Sequence, residues 1–503
     1  MPELIPEQRS STDPAPRRRQ SHSLPTLIVG AGQAGLALAR DLARVSSFGL
    51  RPIGFLDDDP AKQGRRYRGR PVLGVLDDLD TVLEETRAEV VVVAIPSMPA
   101  LKIQQLGLRA AAHGVTVRHL PPFLAALQRQ IAGTDMRALQ VGSLIGRSEM
   151  HVVSRGAGEV IAGKRVLVTG AGGSIGSELC RQVAGFGPES MVMLDHDESN
   201  LHRLQLDIWG EALLDNENVV VADIRDQDRI HQIFRDYRPH VVFHAAALKH
   251  LPVLERHPCE GVKSNVRGTE NLIEAAIAND AERFVLISTD KAANPTSVLG
   301  ATKRLAELVL ERHRGSHTTL CAVRFGNVLG SRGSLLHIVK EQLAAGSAVT
   351  VTHPDVTRFF MTIEEAVGLV LEAARMAEDG ATYVLDMGDP VRIVDLVRNF
   401  ADMLNIRDVD FRFTGLRPGE KLEEELFGAG EKQSPTDHPR ISMALATAPT
   451  PGFRTKLRDL YGAAARNRPD EVFEHLRSLV PEYAPTPRLV PQLALATPYP
   501  DDY

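Results

Sequence analysis

The sequence predicts an α/β protein with two Rossmann-like, doubly wound parallel-sheet domains, the second larger and extended by a smaller C-terminal substrate lobe. Three observations carry this. Short apolar runs of strand length alternate with helical patterns through most of the chain. Two of these runs lead into glycine-rich turns, GAGQAG at residues 30–35 and GAGGSIG at residues 170–176. About twenty residues beyond each turn a further apolar run closes on an acidic residue, Asp57 in the first case and Asp195 in the second.

Bulk properties set the limits. At 503 residues the chain exceeds one ordinary core, so two or three domains are expected. Charged residues at 24% and hydrophobic residues at 43% are those of a soluble globular protein. A net charge of −6 gives no reason to expect a nucleic-acid partner, and the one basic run (RRR, 17–19) lies in a Pro/Ser-rich leader. The three cysteines, Cys180, Cys259 and Cys321, share no metal or CxxC spacing, which points to structural thiols in a reducing compartment and no metal site. No apolar run approaches the ~20 residues of a membrane helix, and no secretory h-region opens the chain. A cytoplasmic protein without a membrane span is expected, acting as a homo-oligomer.

Taken in order, residues 1–23 read as a disordered leader. Residues 24–133 form the first domain, with strands at 24–29, 52–56 and 90–95 and an apolar helix to about residue 45. Its tight GxGxxG turn (Gly30, Gly32, Gly35) with Asp57 reads either as a second nucleotide site or as a regulatory or oligomerising domain that keeps the turn. Residues 134–163 read as a connector. The βα rhythm resumes over 164–480, with strands at 165–169, 190–194, 219–221, 241–244, 284–288 and 320–324. After residue 330 it loosens into short elements at 349–351, 363–376, 383–387 and 393–403, read as a lobe capping the substrate up to about residue 479. Residues 481–503 read as a Pro-rich tail.

In the second turn, Gly170, Gly173 and Gly176 stand where a backbone needs positive φ or close approach to a ligand. A helix opening at about Ser174 and Ile175 aims free N–H groups at a pyrophosphate. Asp195 is placed for the ribose hydroxyls and would repel a 2′-phosphate, which favours NAD over NADP, although Arg203 leaves NADP open. The bland reading is a tight βα turn with no ligand. Ala245 and Ala246, after the strand at 241–244, let the backbone lie along a dinucleotide or simply pack closely. Asp223 faces an adenine edge or caps a helix.

Across residues 160–430 the stretches VTGAGGSIGSEL, LDHDESN, HAAALKHLPVLE, SNVRGTENL, ISTDKAANPTSVLGATKR, RFGNVLGSRGS, HPDVTRFFMTIEEA, LDMGDPVRI and GLRPGEKLEEEL occur in order. This region resembles the extended short-chain dehydrogenase/reductase fold, and within it the CapD-like polysaccharide-biosynthesis nucleotide-sugar 4,6-dehydratases. The first domain, with GFLDDDP, is similar to the domain that precedes the catalytic one in long members of that family. Those members usually begin with membrane helices, which this sequence lacks. The resemblance implies a UDP-sugar substrate, with UDP-N-acetylglucosamine the expected one, and a tightly held NAD (or NADP) regenerated in every turnover.

It also implies roles for individual residues. Thr289, Asp290 and Lys291 close a strand at the catalytic position, where open α/β sheets bind ligands. Oxidation at C4 makes the C5 proton acidic; Lys291 is then the expected base at C5 and Asp290 the acid at the C6 hydroxyl, with hydride returned to C6. Each would need its less usual protonation state, a lowered lysine pKa and a raised aspartate pKa, with Lys303 as a neighbouring cation and a ligand of the nicotinamide ribose. Lys249, His250, Asn265, Asn327, Arg358, Arg417 and Glu420 are the expected substrate contacts, the arginines suited to phosphate. One position departs from the superfamily pattern: Leu299 stands four residues before Lys303, where a tyrosine usually takes the C4 hydroxyl proton. Asp290 or a water on Thr289 would have to replace it, or the site is impaired. Two further readings stay open, a UDP-sugar 4-epimerase and a nucleotide-sensing protein without catalysis.

Overall fold

A computed structural model describes residues 23–44, 50–95, 98, 100–119, 156–210, 216–331, 335–403, 406, 408–445, 449 and 451–485. The expected leader, the greater part of the connector and residues 486–503 of the expected tail lie outside these. The chain divides into two compact units, the first formed mainly by residues up to 96 and the second chiefly by residues from 137 onward.

The first unit is a six-stranded sheet of β1 (Leu24–Val29), β2 (Leu50–Leu56), β3 (Arg66–Tyr67), β4 (Arg70–Gly74), β5 (Val90–Val93) and β6 (Thr116–His119), in the order β3-β4-β2-β1-β5-β6. All neighbours pair in parallel except β3 with β4, a short edge hairpin that the apolar pattern does not announce. The strand order reverses between β1 and β5, and the glycine turn sits at that reversal. Gly30 has φ +101°, and a Cβ there would lie 2.5 Å from Ile95.

The second unit is organised on nine strands: β7 (Arg165–Thr169), β8 (Ser190–Asp195), β9 (Val219–Val221), β10 (Val241–His244), β11 (Arg283–Ile287), β12 (Thr319–Arg324), β17 (Ala381–Leu385), β20 (Lys432–Pro435) and β21 (Ile441–Leu445). Their order is β20-β21-β17-β12-β11-β10-β7-β8-β9, with β9 to β17 parallel and β21 and β20 added antiparallel. Between them lie β13 (Asn327–Leu329), β14 (Val349–Val351), β15 (Thr357–Arg358), β16 (Phe360–Thr362), β18 (Val391–Arg392) and β19 (Phe411–Phe413), which form three two-stranded pairs.

Side-chain alternation divides the core. Leu167, Val192, Val242, Phe284 and Leu320 enter one buried cluster, and their neighbours Val166, Met193, Phe243, Val285 and Cys321 enter another. That is the period-2 signature of strands buried on both faces, and each such side chain contributes roughly 1.5–3 kcal/mol when fully buried. Cys180, Cys259 and Cys321 are free, buried thiols.

The region after residue 330 differs from the expected lobe. The strand expected at 383–387 is β17 and belongs to the large sheet. The helices Phe453–Ala465 and Pro469–Leu479 place Phe453, Leu457, Leu460, Leu476 and Leu479 in the first core cluster rather than over a substrate. The smaller lobe has its own core, which includes Leu336, Val339, Val349, Val351, Ile393, Val397 and Phe400. The start of the expected tail is docked: Tyr483 is buried, and Ala484 N donates to Pro295 O at 3.0 Å. The end of the expected connector is a short buried helix, Ala157–Ile161. Among the described residues no helix is long and apolar enough to cross a membrane.

Candidate active site

In the second unit the strand order reverses between β7 and β10, the place where open α/β sheets leave a crevice at their carboxyl ends. The turn after β7 is built there. Gly170 takes φ +66°, and a Cβ on it would stand 2.6 Å from Ala246 N, so the turn lies against the backbone of Ala245 and Ala246. A Cβ on Gly176 would fall 2.0 Å from Gly170 O. Gly173 precedes the helix Ser174–Gly185, which opens without a side-chain cap, with Ser174 and Ile175 in its first turn. Asp195 ends β8; its Oδ2 accepts from Gly172 N at 2.9 Å and its Oδ1 from Asp197 N at 3.0 Å.

The first unit repeats this device with one difference. Asp57 Oδ2 accepts from Ala31 N at 2.7 Å, and Oδ1 from Asp59 N at 3.0 Å, but Lys62 Nζ also lies 2.9 Å from Oδ2. Burial alone would raise the Asp57 pKa, but these donors hold it below the usual carboxylate value. Gly35 packs against Gly30 O, whereas Gly32 has open space around it.

Of the two roles expected of Asp223, the structure excludes the helix cap. Its carboxylate is gripped by the Arg225 guanidinium, at 2.6–3.0 Å, and Arg225 also reaches Glu260 at 2.9 Å. The helix that follows is capped by Asp226, not Asp223.

Beneath the loop after β10 runs a buried polar chain. Thr269 Oγ1 donates to Asn265 O at 2.8 Å, so it accepts from His244 Nε2, 2.9 Å away, and His244 Nδ1 accepts from Thr169 Oγ1 at 2.7 Å. Burial, aided by Lys303, pushes the His244 pKa down to about 3, which keeps the imidazole neutral as this chain requires. Asn265 lies in a π-helical segment, Val262–Arg267. Its amide donates to Leu248 O (3.0 Å) and Thr302 Oγ1 (3.2 Å) and accepts from Leu248 N (2.8 Å). The structure therefore places Asn265 as a brace for the loop after β10, with both amide hydrogens committed inside the protein. Lys249 and His250 stand exposed on that loop, where the helix Leu251–Arg256 begins.

The STDK stretch continues from β11. Ser288 N donates to Val323 O at 2.7 Å and Asp290 N to Phe325 O at 3.1 Å, which carries the chain along β12 before a single 3₁₀ turn, Asp290–Ala292. Asp290 is fully buried. Its Oδ1 accepts from Thr289 Oγ1 (2.8 Å) and Lys291 Nζ (3.0 Å), and its Oδ2 has no hydrogen-bond partner among the described residues. Gly326 makes room for it, since a Cβ there would stand 3.0 Å from that Oδ2 and 2.9 Å from Phe359. Lys291 Nζ also donates to Asn327 Oδ1 at 3.3 Å, which brings Asn327 into the cluster.

Two expectations about charge are corrected here. Burial would lower the Lys291 pKa, but Asp290 and Glu424 outweigh it and hold the ammonium above its ordinary value. The cation acting against them is Arg358. Lys303 instead donates to Ile287 O at 2.6 Å, and burial brings its own pKa down to about 8.

Glu424 is the residue the sequence reading missed. It lies in the run EKLEEEL, and among its acidic neighbours Glu423 and Glu425 are exposed whereas Glu424 is 8% exposed. Its Oε1 lies 3.5 Å from Lys291 Nζ and 3.8 Å from Arg358 Nε. Arg358 is itself buried and donates to Glu420 Oε1 at 2.9 Å. Glu420 accepts from Thr352 Oγ1 and from Arg417 N, both at 3.1 Å, while Arg417 is exposed. Thr289, Asp290, Lys291, Asn327, Glu424, Arg358 and Glu420 thus form one connected group. Leu299 is buried among apolar side chains and offers no group for proton transfer. In the same unit Glu270, Glu274 and His313 bring ligand-type atoms within 4.8 Å, but Arg267 (3.2 Å) and Arg312 (2.8 Å) hold the two Glu270 oxygens.

Comparison with known proteins places this architecture. Residues 166–446 match the family described as polysaccharide biosynthesis protein, and residues 12–121 match the family described as CoA-binding domain. The chain is 40% identical over 437 residues to the probable polysaccharide biosynthesis protein EpsC of Bacillus subtilis, covering 86% of this chain and 73% of that protein. It is also 40% identical over 419 residues to the capsular polysaccharide biosynthesis protein CapD of Staphylococcus aureus, covering 81% and 69%. Shorter matches include a UDP-N-acetylglucosamine 4,6-dehydratase (inverting) of Campylobacter jejuni (30%, over 54% of this chain and 79% of that one) and a UDP-glucose 4-epimerase of Rickettsia rickettsii (32%, 54% and 80%). Among solved structures, Pen from Bacillus thuringiensis aligns with a TM-score of 0.52 at 33% identity, over 56% of this chain and 90% of that one. The fold and site define an extended short-chain dehydrogenase/reductase. The chain belongs to the polysaccharide biosynthesis protein family that includes CapD and EpsC.

Proposed function

We propose that this protein is a NAD-dependent 4,6-dehydratase of a UDP-N-acetylhexosamine, with UDP-N-acetylglucosamine the first candidate, forming a UDP-4-keto-6-deoxy sugar for surface polysaccharide. The carrying observation is the pairing of fully buried Asp290 with half-buried Lys291 after β11, the one acid–base pair that elimination of water across C5–C6 needs. The similarity to the Campylobacter dehydratase supports this choice. The glycine cradle supports a dinucleotide: added Cβ atoms on Gly170 and Gly176 would close the turn, and Asp195 is held beside it. Gly170, Gly173, Ser174, Ile175, Gly176, Asp195 and Ala245–Ala246 would hold the cofactor, and Lys303 the nicotinamide ribose. A bound nicotinamide supplies the reversible hydride acceptor that a dehydration without net oxidation requires.

The protein's own groups do the rest. Asp290, or a water held by Thr289, is the candidate to receive the C4 hydroxyl proton, since Leu299 cannot. With a carbonyl at C4, the C5 proton moves to one member of the Asp290–Lys291 pair, and the C6 oxygen leaves as water with a proton from the other. General acid–base help of this kind is worth about 10²–10⁴-fold. Arg358, Arg417, Glu420, Lys249 and His250 are the proposed substrate contacts. The epimerase reading has relatives in its favour, but it has no use for the Asp290–Lys291 pair and lacks a tyrosine at Leu299.

The test is to mix the protein with UDP-N-acetylglucosamine and weigh the product. Loss of one water supports the proposal; unchanged mass with a new C4 configuration indicates epimerisation, and no product despite NAD binding indicates a sensing role. Leu299→Tyr is expected to change turnover less than about tenfold, because the proton transfers do not pass through this position. A gain of several orders of magnitude would mean that the natural site is impaired.

A further inference from the structure

We propose that Glu424 is a positioning residue of the reaction centre, clamping Lys291 as an ammonium together with Asp290 and Asn327. This deepens the dehydratase reading and rests on it for the chemistry, though not for the geometry. A protonated lysine has three N–H donors and no acceptor. Around Lys291 Nζ stand three oxygens, Asp290 Oδ1 at 3.0 Å, Asn327 Oδ1 at 3.3 Å and Glu424 Oε1 at 3.5 Å. A neutral amine would turn a lone pair toward one of them, so the arrangement selects the charged form.

The Glu424 side chain is only 3% exposed, and its Oε2 is buried with no hydrogen-bond partner among the described residues. Such an oxygen is costly to keep inside a protein, and its retention calls for a use. The second contact, 3.8 Å from Arg358 Nε, ties the carboxylate to the arginine proposed for the substrate phosphates. Glu424 therefore joins the catalytic lysine to the substrate end of the site. The charged groups that act on Lys291 are Asp290 from its own turn and Glu424 and Arg358 from neighbouring segments, with Glu420 paired to Arg358. Removing the Glu424 charge leaves Asp290 opposed by Arg358, which makes the ammonium easier to deprotonate.

The test uses the full-length protein and the variants Glu424→Gln and Glu424→Asp. Lys291 is acetylated competitively with acetic anhydride across pH 6–11, and its peptide is quantified by mass spectrometry with the other lysines as internal standards. The midpoint for Lys291 is expected to fall by about one pH unit or more in Glu424→Gln, a tenfold increase in free amine at a given pH, and to recover in Glu424→Asp. An unmoved midpoint, with the other lysines unchanged, overturns the proposal. The pH dependence of turnover is measured alongside: the limb that reports Lys291 should move by the same amount at nearly constant KM. A rising limb identifies Lys291 as the base and a falling limb as the acid; a limb that does not move in Glu424→Gln counts against the clamp. If the wild-type protein forms no product lighter by one water, the dehydratase reading fails, while the acetylation midpoints still decide the role of Glu424.

Discussion

Asp290→Asn combined with Lys291→Ala is expected to lower formation of the 4-keto product by more than about 10³-fold, since each group is proposed to move a proton worth about 10²–10⁴ in rate. Dinucleotide binding should survive, because the glycine turn and Asp195 stand at the ends of β7 and β8, whereas the pair follows β11. The check is product formation from UDP-N-acetylglucosamine measured beside NAD binding by titration calorimetry. Turnover close to wild type would discard the assignment of both residues, and loss of NAD binding together with turnover would show that the pair supports the fold.

Arg324→Leu is expected to cost about 3–5 kcal/mol, the usual penalty for breaking a buried ion pair and leaving its partners uncompensated. The Arg324 side chain is inaccessible to solvent. It grips Glu307 at 2.7 and 2.6 Å and Glu431 at 2.6 and 2.8 Å; Arg304 adds contacts to Glu307 at 3.1 Å and to Glu482 at 2.7 Å. Ser288 Oγ donates to the same Glu307 at 2.6 Å, so the network sits directly behind the turn that carries Asp290 and Lys291. By calorimetry at neutral pH, the Tm of the second unit should fall by about 5–15 °C; a shift under about 2 °C would contradict the network's role.

The same group predicts acid sensitivity. Burial would raise the Glu307 pKa, but Arg324 and Arg304 bring it down to about 2 from an ordinary 4.5. A depressed carboxylate stabilises the folded state above its unfolded pKa, and this contribution is lost as pH falls from about 4.5 toward about 2.

Where the sequence was legible, the cause is local. The strands β7, β9 and β10 could be bounded to the residue because each is a short apolar run stopped by a turn. The glycine turns carry their own signal, since both the spacing and the need for positive φ are written in residue types. The Asp290–Lys291 pair was singled out through the family resemblance; from its place after a strand alone it reads equally as a surface ion pair.

Other features depend on contacts between distant segments. Helix Val298–Arg312 is buried along nearly its whole length, so Arg304 and Glu307 are interior groups matched by Arg324 and Glu431 from elsewhere, and Lys303 is buried against Ile287 O. Glu424 is one carboxylate in a run of them, and only the fold distinguishes it from exposed Glu423 and Glu425. The antiparallel strand β20 lies at the sheet edge, and neither it nor its neighbour β21 alternates between buried and exposed residues. The expectation of a lowered Lys291 pKa failed for the same reason: the second carboxylate beside it comes from a segment more than a hundred residues away in the chain.

The central claim, elimination across C5–C6 through a C4 ketone, is tested most directly by running the reaction with UDP-N-acetylglucosamine in deuterated water and examining the product by mass spectrometry and NMR. The account predicts a 4-keto-6-deoxy sugar nucleotide that has lost one water and carries one deuterium at C5, with the former C4 hydrogen at C6. A product of unchanged composition with no deuterium at C5 would contradict it.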